Sequence, residues 1–280
     1  MTSTPEPLDA RVSSDGHAEH PGSGVDDSVA ANLLSLRGLA KSFGAVQALQ
    51  HVDLDVPVGK VTALIGDNGA GKSVLIKIVS GIYAPSSGQI FWHGVEVHPH
   101  TPREATDLGI ATVYQDLALC DNLDIVQNMY LGHEEERHFL LNEIAMEQET
   151  KQLLTDLSVF TVKSVRQLVG SLSGGQRQSI AVARAVMRDS QLVIMDEPTA
   201  ALGVTQTAQV LALVRTLADR GIAVLLVSHN LNDVFSVADR IAVMHLGNLV
   251  SQGPVSEYDT PRAVELITTG GTGRVAAASL

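Results

Sequence analysis

Between His51 and Val56 the chain alternates: Val52, Leu54 and Val56 on one parity, His51, Asp53 and Asp55 on the other. A period of two predicts a strand with one face buried and one wet. Leu33 to Leu39 and Gln89 to Trp92 read as further strands. The first two would lie in an outer antiparallel layer, with Ser42-Phe43-Gly44 between them as a turn that exposes an aromatic ring. Val61–Ile65 and Ile110–Tyr114 are apolar runs of strand length. Leu192–Met195 and Ala223–Val227 are apolar without a break, as expected of central parallel strands covered on both faces. Ile241–His245 and Asn248–Gln252 read as a closing hairpin that turns at Gly247.

A second period runs between the strands. Val210, Leu213, Val214 and Leu217 share one helical face, as do Leu231, Val234, Phe235 and Ala238. Val74 to Val79 is a helix that Gly81 would end, and Gly221 would cap the helix before it. From Leu123 to about Leu157 helical spacing dominates, with Met146, Leu153, Leu154 and Leu157 on one face. Strands alternating with helices predict an α/β fold: a doubly wound, mostly parallel sheet with an antiparallel β layer. Residues 118–188 are expected to form a helical lobe inserted into that sheet domain.

Composition narrows the picture. The chain has 280 residues, 45% of them hydrophobic, which suits one α/β domain with an insertion. No apolar run is long enough to span a membrane, and no signal segment opens the chain, so it is expected to stay where it is made. The lone Cys120 excludes an internal disulfide and a cysteine metal cluster. The net charge is −12, and the first 32 residues carry six acids and only Arg11 as a base. That segment, rich in Pro, Ser and Gly, is expected to be a disordered acidic tail, with 33–268 as the folded domain and 269–280 as a flexible end. The acidic body argues against sequence-independent nucleic-acid binding. His93, His98 and His100 cluster in sequence, but a polar surface loop explains them better than a zinc site.

The chemistry starts at Gly66-Asp67-Asn68-Gly69-Ala70-Gly71-Lys72-Ser73, which reads G-x-x-x-x-G-K-[ST] between a strand and a helix. Glycines let bare N–H groups approach phosphate oxygens, and the helix N-terminus adds positive charge. Lys72 would reach the β- and γ-phosphates and Ser73 would hold Mg²⁺. Asp196 and Glu197 follow the Leu192–Met195 strand, where ligands bind in such sheets. Asp196 would help hold Mg²⁺, and Glu197 could polarise an attacking water. Leu172-Ser173-Gly174-Gly175-Gln176 precedes a helical run from Arg177 to Met187, with Ser173 as N-cap, and makes a second anion-binding turn.

Together these residues resemble the nucleotide-binding subunits of ATP-binding-cassette transporters, over about residues 33–268. The resemblance implies an ATPase that works as a dimer, of two copies or with a related ATPase subunit. ATP would sit between the phosphate loop of one subunit and the Ser173–Gln176 turn of the other. It further implies that Phe43 stacks on adenine and that Gln115 contacts Mg²⁺ and the attacking water. Ser173, Gly174, Gly175 and Gln176 would contact the partner's ATP, Glu197 would be the catalytic carboxylate, and His229 would meet the γ-phosphate. Two positions depart from the pattern. Val74 stands where Thr is usual after Ser73, and Gly203 stands where an Asp commonly follows Ala201-Leu202.

Gly109 to Gly132, and Ser228-His229-Asn230 through Gly247, look like monosaccharide-importer ATPases of the ribose, xylose and fructose type. That likeness implies a peripheral subunit at the cytoplasmic face of the membrane, docked on separate integral-membrane permease subunits and served by an extracytoplasmic sugar-binding protein. The alternatives are a soluble cassette ATPase of DNA repair or translation, and a weakly hydrolysing regulatory module. Long coiled coils or tandem cassettes, common in the soluble class, are absent from the sequence.

Overall fold

The computed structural model describes residues 32–137 and 140–271; the expected acidic tail and most of the expected C-terminal end lie outside them. Twelve strands are described. In chain order they are β1 (Leu34–Phe43), β2 (Val46–Val56), β3 (Val61–Gly66), β4 (Ser87–Trp92), β5 (Val95–Val97) and β6 (Ile110–Val113). A short pair follows, β7 (Glu136–Arg137) and β8 (Leu140–Leu141), and then β9 (Leu192–Asp196), β10 (Ala223–Val227), β11 (Arg240–His245) and β12 (Asn248–Pro254). Ten of them form one sheet in the order β5-β4-β1-β2-β12-β11-β3-β10-β9-β6. The half containing β3, β10, β9, β6 and β11 pairs in parallel. The pair β1–β2 is antiparallel, as expected of the outer layer, and β1–β4 and β4–β5 are antiparallel as well.

The unbroken apolar runs have a simple cause. Successive side chains on a strand point to opposite faces, and both faces of the parallel half are covered. On β3, Val61, Ala63 and Ile65 enter one core while Leu64 enters the other. On β9, Val193 and Met195 take the first core, Leu192 and Ile194 the second. The second core is closed by α1 (Lys72–Val79) through Leu75, Ile76, Ile78 and Val79, and by Ala105 of α2 (Pro102–Asp107).

The first core takes the helices between β6 and β9: α3 (Ile125–Tyr130), α4 (Glu143–Asp156) and α5 (Gly174–Val186). It also takes α6 (Val204–Asp219) and α7 (Leu231–Val237); α8 (Thr260–Thr269) packs beside β11 and contributes Ala263. The expected face of α4 is the one that packs: Met146, Leu154 and Leu157 are buried and Leu153 lies against them. No helix among the described residues is long and apolar enough to cross a membrane.

Three local readings change. Phe43 is not in a turn: it is the last residue of β1 and pairs with Val46, so the turn is Gly44-Ala45. Register shifts between Leu36 and Leu39, Leu39 and Lys41, and Lys41 and Ser42 interrupt the alternation, which hid the far half of both strands. The helical stretch at 123–157 is two helices parted by β7 and β8. Helix α2 gave a readable signal that periodicity missed, being too short for it. Thr101 accepts from the Glu104 N–H at 3.2 Å, its hydroxyl meets the Glu104 carboxylate at 3.0 Å, and Pro102 opens the helix.

Candidate nucleotide site

The carboxyl ends of β3, β10 and β9 lie side by side, with Leu64 opposite Val227 and Val227 opposite Asp196. The register therefore delivers Gly66, His229 and Glu197 to one edge of the sheet, where open α/β sheets bind ligands. A cleft of about 680 Å³ opens there. Asn68, Gly69, Gly71, Lys72, Ser73, Gln115, Asp196, Glu197 and His229 all line it.

The loop itself cannot be built without glycine at two places. A Cβ on Gly66 would lie 2.5 Å from the Met244 carbonyl oxygen. Gly71 sits at φ +102°, and a Cβ there would lie 2.6 Å from Leu49 Cδ2 and 2.9 Å from the Ala48 oxygen. Gly66 and Ala70 are buried beneath the loop, while Asp67, Asn68 and Gly69 are exposed. Ala70 serves the loop's shape: its N–H donates to the Asp67 oxygen at 3.1 Å, and its oxygen accepts from Gly247 N–H at 3.1 Å.

Lys72 is folded back. Its ammonium donates to the carbonyl oxygens of Gly66 (2.7 Å) and Asp67 (3.0 Å). Burial lowers its pKa, opposed by the charges of Glu197, Asp196 and Asp67. Burial also raises the Asp196 carboxyl above its ordinary range; neighbouring Glu197 pushes the same way, and Lys72 and Lys77 oppose both. Glu197 stands at φ +53°, a left-handed conformation that a non-glycine residue adopts at a cost. Its N–H donates to the Val227 oxygen at 2.9 Å, and its Oε2 lies 2.6 Å from His229 Nδ1. The site thus stores electrostatic and backbone strain in two adjacent acids.

A prediction follows for Asp196→Asn. Because the folded state raises this carboxyl's pKa, its ionisation opposes folding. The stability it allows is fully present below the unfolded pKa and falls as pH rises through the folded one. Replacement by the neutral amide should therefore raise the stability of the nucleotide-free protein by about 0.5–1 kcal/mol at neutral pH. The gain should shrink as pH drops toward the carboxylate range. Urea melts of both proteins at neutral and acid pH measure it; a gain independent of pH contradicts the assignment.

The structure does not bring every expected residue to this cleft. Ser173 and Gly174 are exposed elsewhere, at the start of α5. Ser173 Oγ accepts from the Gln176 N–H at 3.4 Å, and Gln176 Oε1 accepts from the Ser173 N–H at 2.9 Å, a reciprocal cap. Gln176 Nε2 donates to the Thr161 oxygen at 2.6 Å, so this side chain is committed within its own chain. Gly175 is buried, with room for a Cβ only 3.0 Å from Gln206 Cβ. Phe43 is outside the cleft lining and packs on Tyr83. Val74 lines the cleft. Gly203 N-caps α6, its N–H donating to Gln206 Oε1 at 3.3 Å.

Sequence reading missed Val46, Gln47 and Leu246, which also line the cleft. Val46 and Leu246 are large apolar side chains left exposed, and Leu246 stands at φ +45°. Their signal is exposure, which a pattern of apolar positions reads as burial. The three histidines do not converge. His93 meets Gln191 Oε1 at 2.6 Å and His98 meets Glu96 at 3.5 Å, and no group of three or more His, Cys, Asp or Glu that could hold a metal ion occurs among the described residues.

Comparison with known proteins places this geometry. The family model for ABC transporters matches residues 49–200. The chain is 42% identical over 245 residues to the xylose/arabinose import ATP-binding protein of Sulfolobus acidocaldarius, covering 88% of this chain and 97% of that one. It is 43% identical over 243 residues to the fructose import ATP-binding protein of Rhizobium meliloti, covering 84% and 94%. It spans about half of a ribose import ATP-binding protein of Rubrobacter xylanophilus, at 39% identity. Among solved structures, an ATP-binding cassette of an ABC transporter superposes with a TM-score of 0.74 at 25% identity, covering 85% of this chain and 96% of that one. A dimeric bacterial ABC transporter cassette has the same fold, with a TM-score of 0.67 at 22% identity over 79% of this chain and 98% of that one. With the phosphate loop, the paired acids and His229 set on one sheet edge, this chain belongs to the ABC transporter family and is one of its ATP-binding cassette ATPases.

Proposed function

We propose that this protein is the ATP-hydrolysing subunit of an importer that takes up a monosaccharide. The carrying observation is the single cleft that gathers Lys72, Ser73, Gln115, Asp196, Glu197 and His229. Its sugar assignment is supported by the import names of the xylose/arabinose and fructose relatives, which match over nearly their full length. The subunit works peripherally at the cytoplasmic face of the membrane. It docks through the 118–188 lobe of its 33–268 cassette domain on integral-membrane permease subunits, which receive sugar from an extracytoplasmic binding protein. No nucleic-acid partner is proposed; the acidic body disfavours the DNA-repair and translation alternative.

The phosphate loop, Gly66 to Ser73, binds the ATP phosphates. Lys72 exchanges its two loop carbonyls for phosphate oxygens, and the N-terminus of α1 adds its partial charge. Ser73, Asp196 and Gln115 offer a hydroxyl, a carboxylate and an amide to one cleft, a hard oxygen set that suits Mg²⁺. Those residues would hold the ion, which neutralises phosphate charge when bound. Glu197 accepts the proton of the attacking water, and His229, held at 2.6 Å, aligns that carboxylate and faces the γ-phosphate. Phe43 stacks on the base.

Ser173 and Gly174 are exposed and do not line the cleft of their own phosphate loop, which supports a site completed by another chain. Ser173, Gly174 and the N–H groups behind them, with Gly175 and Gln176 shaping the turn, then cover the partner's γ-phosphate. The dimer is two copies of this chain or this chain with a related ATPase.

Val74 removes one hydroxyl from this site. Restoring it with Val74→Thr should tighten ATP binding by at most about tenfold, one hydrogen bond's worth. Titration with a fluorescent ATP analogue measures this, and a larger gain would mean that Val74 distorts the loop. For transport, deletion of the gene should abolish uptake of one sugar from a monosaccharide panel. Unimpaired uptake of every sugar would refute the import reading.

A further inference from the structure

Phe43 lies at the tip of the β1–β2 hairpin, paired with Val46. Its ring finds support in Tyr83, just beyond α1. The two ring centroids are 5.2 Å apart and the planes meet at 73°, an edge-on contact. Lys41 Nζ lies 5.0 Å from the Phe43 centroid and 5.9 Å from that of Tyr83. Lys77 Nζ lies 5.6 Å from the Tyr83 centroid. Lys41 is itself anchored, donating to the Ala84 oxygen at 2.7 Å. The Tyr83 N–H donates to the Lys77 oxygen at 3.0 Å. Tyr83 is thus fixed at its backbone to the helix that carries Lys72 and Ser73, and its ring is flanked by two cations. Phe43 remains 43% exposed.

We propose that Tyr83 is a positioning residue for the nucleobase: it ties the ring of Phe43 to the phosphate-binding helix, so that base and triphosphate are bound at one fixed separation. The proposal rests on the stacking role given to Phe43. Without Tyr83 the Phe43 ring keeps its Lys41 contact but loses the ring that fixes its plane, and the base must order it on binding. That cost falls on ligands with a base and spares those without one.

Equilibrium binding of ATP and of inorganic tripolyphosphate to the wild type, Phe43→Ala, Tyr83→Ala, the double variant and Tyr83→Phe tests this. Tyr83→Ala should weaken ATP binding about three- to tenfold and leave tripolyphosphate binding unchanged, the range expected from an aromatic pair. Tyr83→Phe keeps the ring and should bind ATP as the wild type does. The double variant should be no weaker than Phe43→Ala alone, since Tyr83 acts through Phe43. Unchanged ATP affinity in Tyr83→Ala, alongside a loss in Phe43→Ala, overturns the proposal and leaves the stacking reading standing. Equal losses for both ligands overturn it in favour of general support of the loop. Full ATP affinity in Phe43→Ala removes the stacking reading and this proposal with it.

Discussion

Glu197→Gln should reduce ATP turnover by at least about 10²-fold, the scale of a lost general base. The side chains are nearly the same size, and the amide can still hydrogen-bond His229 Nδ1, which now lies 2.6 Å from Oε2. Fold and ATP binding should therefore survive. The backbone strain at φ +53° is unchanged, since it belongs to the position and not to the charge. What disappears is the carboxylate that contacts His229 directly. The variant also removes one of two adjacent negative charges from a site that must receive a triphosphate. Electrostatics thus favour retention of ATP, and an ATP-dependent dimer should accumulate because nothing hydrolyses the nucleotide at its seam. Steady-state phosphate release and size-exclusion chromatography with and without ATP measure the two effects. Undiminished turnover would remove Glu197 from the chemistry.

Lys72→Ala should weaken ATP binding by about 10²-fold. The ammonium makes two hydrogen bonds, to the Gly66 and Asp67 carbonyls, and in the nucleotide complex proposed above it redirects them to phosphate oxygens. Charge-assisted bonds contribute about 1.5–3 kcal/mol each, so losing their surplus over the loop carbonyls costs roughly 3 kcal/mol, or about 10²-fold. The substitution also removes the Lys72 charge that acts on Asp67, Asp196 and Glu197, leaving Asp196 with the charge of Lys77. Phosphate repulsion then adds to the loss. Titration calorimetry with ATP at two salt concentrations checks this. An affinity within threefold of the wild type would place Lys72 outside the phosphate contacts.

Much of the site was readable because its chemistry is local. The phosphate loop needs consecutive residues in one backbone path, and the Ser173–Gln176 cap closes over three peptide bonds. Asp196 and Glu197 were legible as acids ending a doubly covered strand, whose apolar run is a direct trace of two cores. Helix α2 went unread because its length defeats periodicity, although Thr101, Pro102 and Glu104 carry its capping signal. The β1 and β2 extensions also went unread, because bulges break the alternation on which strand reading depends.

The sequence by itself determined the α/β class, the nucleotide loop and the order of the site residues, since each rests on short-range geometry or on a period set by the backbone. Tertiary structure alone decided which of those residues meet. The parallel register of β3, β10 and β9 brings Gly66, His229 and Glu197 to one edge, although the first two lie 163 positions apart in the chain. Tertiary structure also left Ser173 outside the cleft lining, committed the Gln176 side chain to Thr161, and set Phe43 against Tyr83. These are contacts between distant segments, chosen by how the two cores close around the sheet, and no local pattern encodes them.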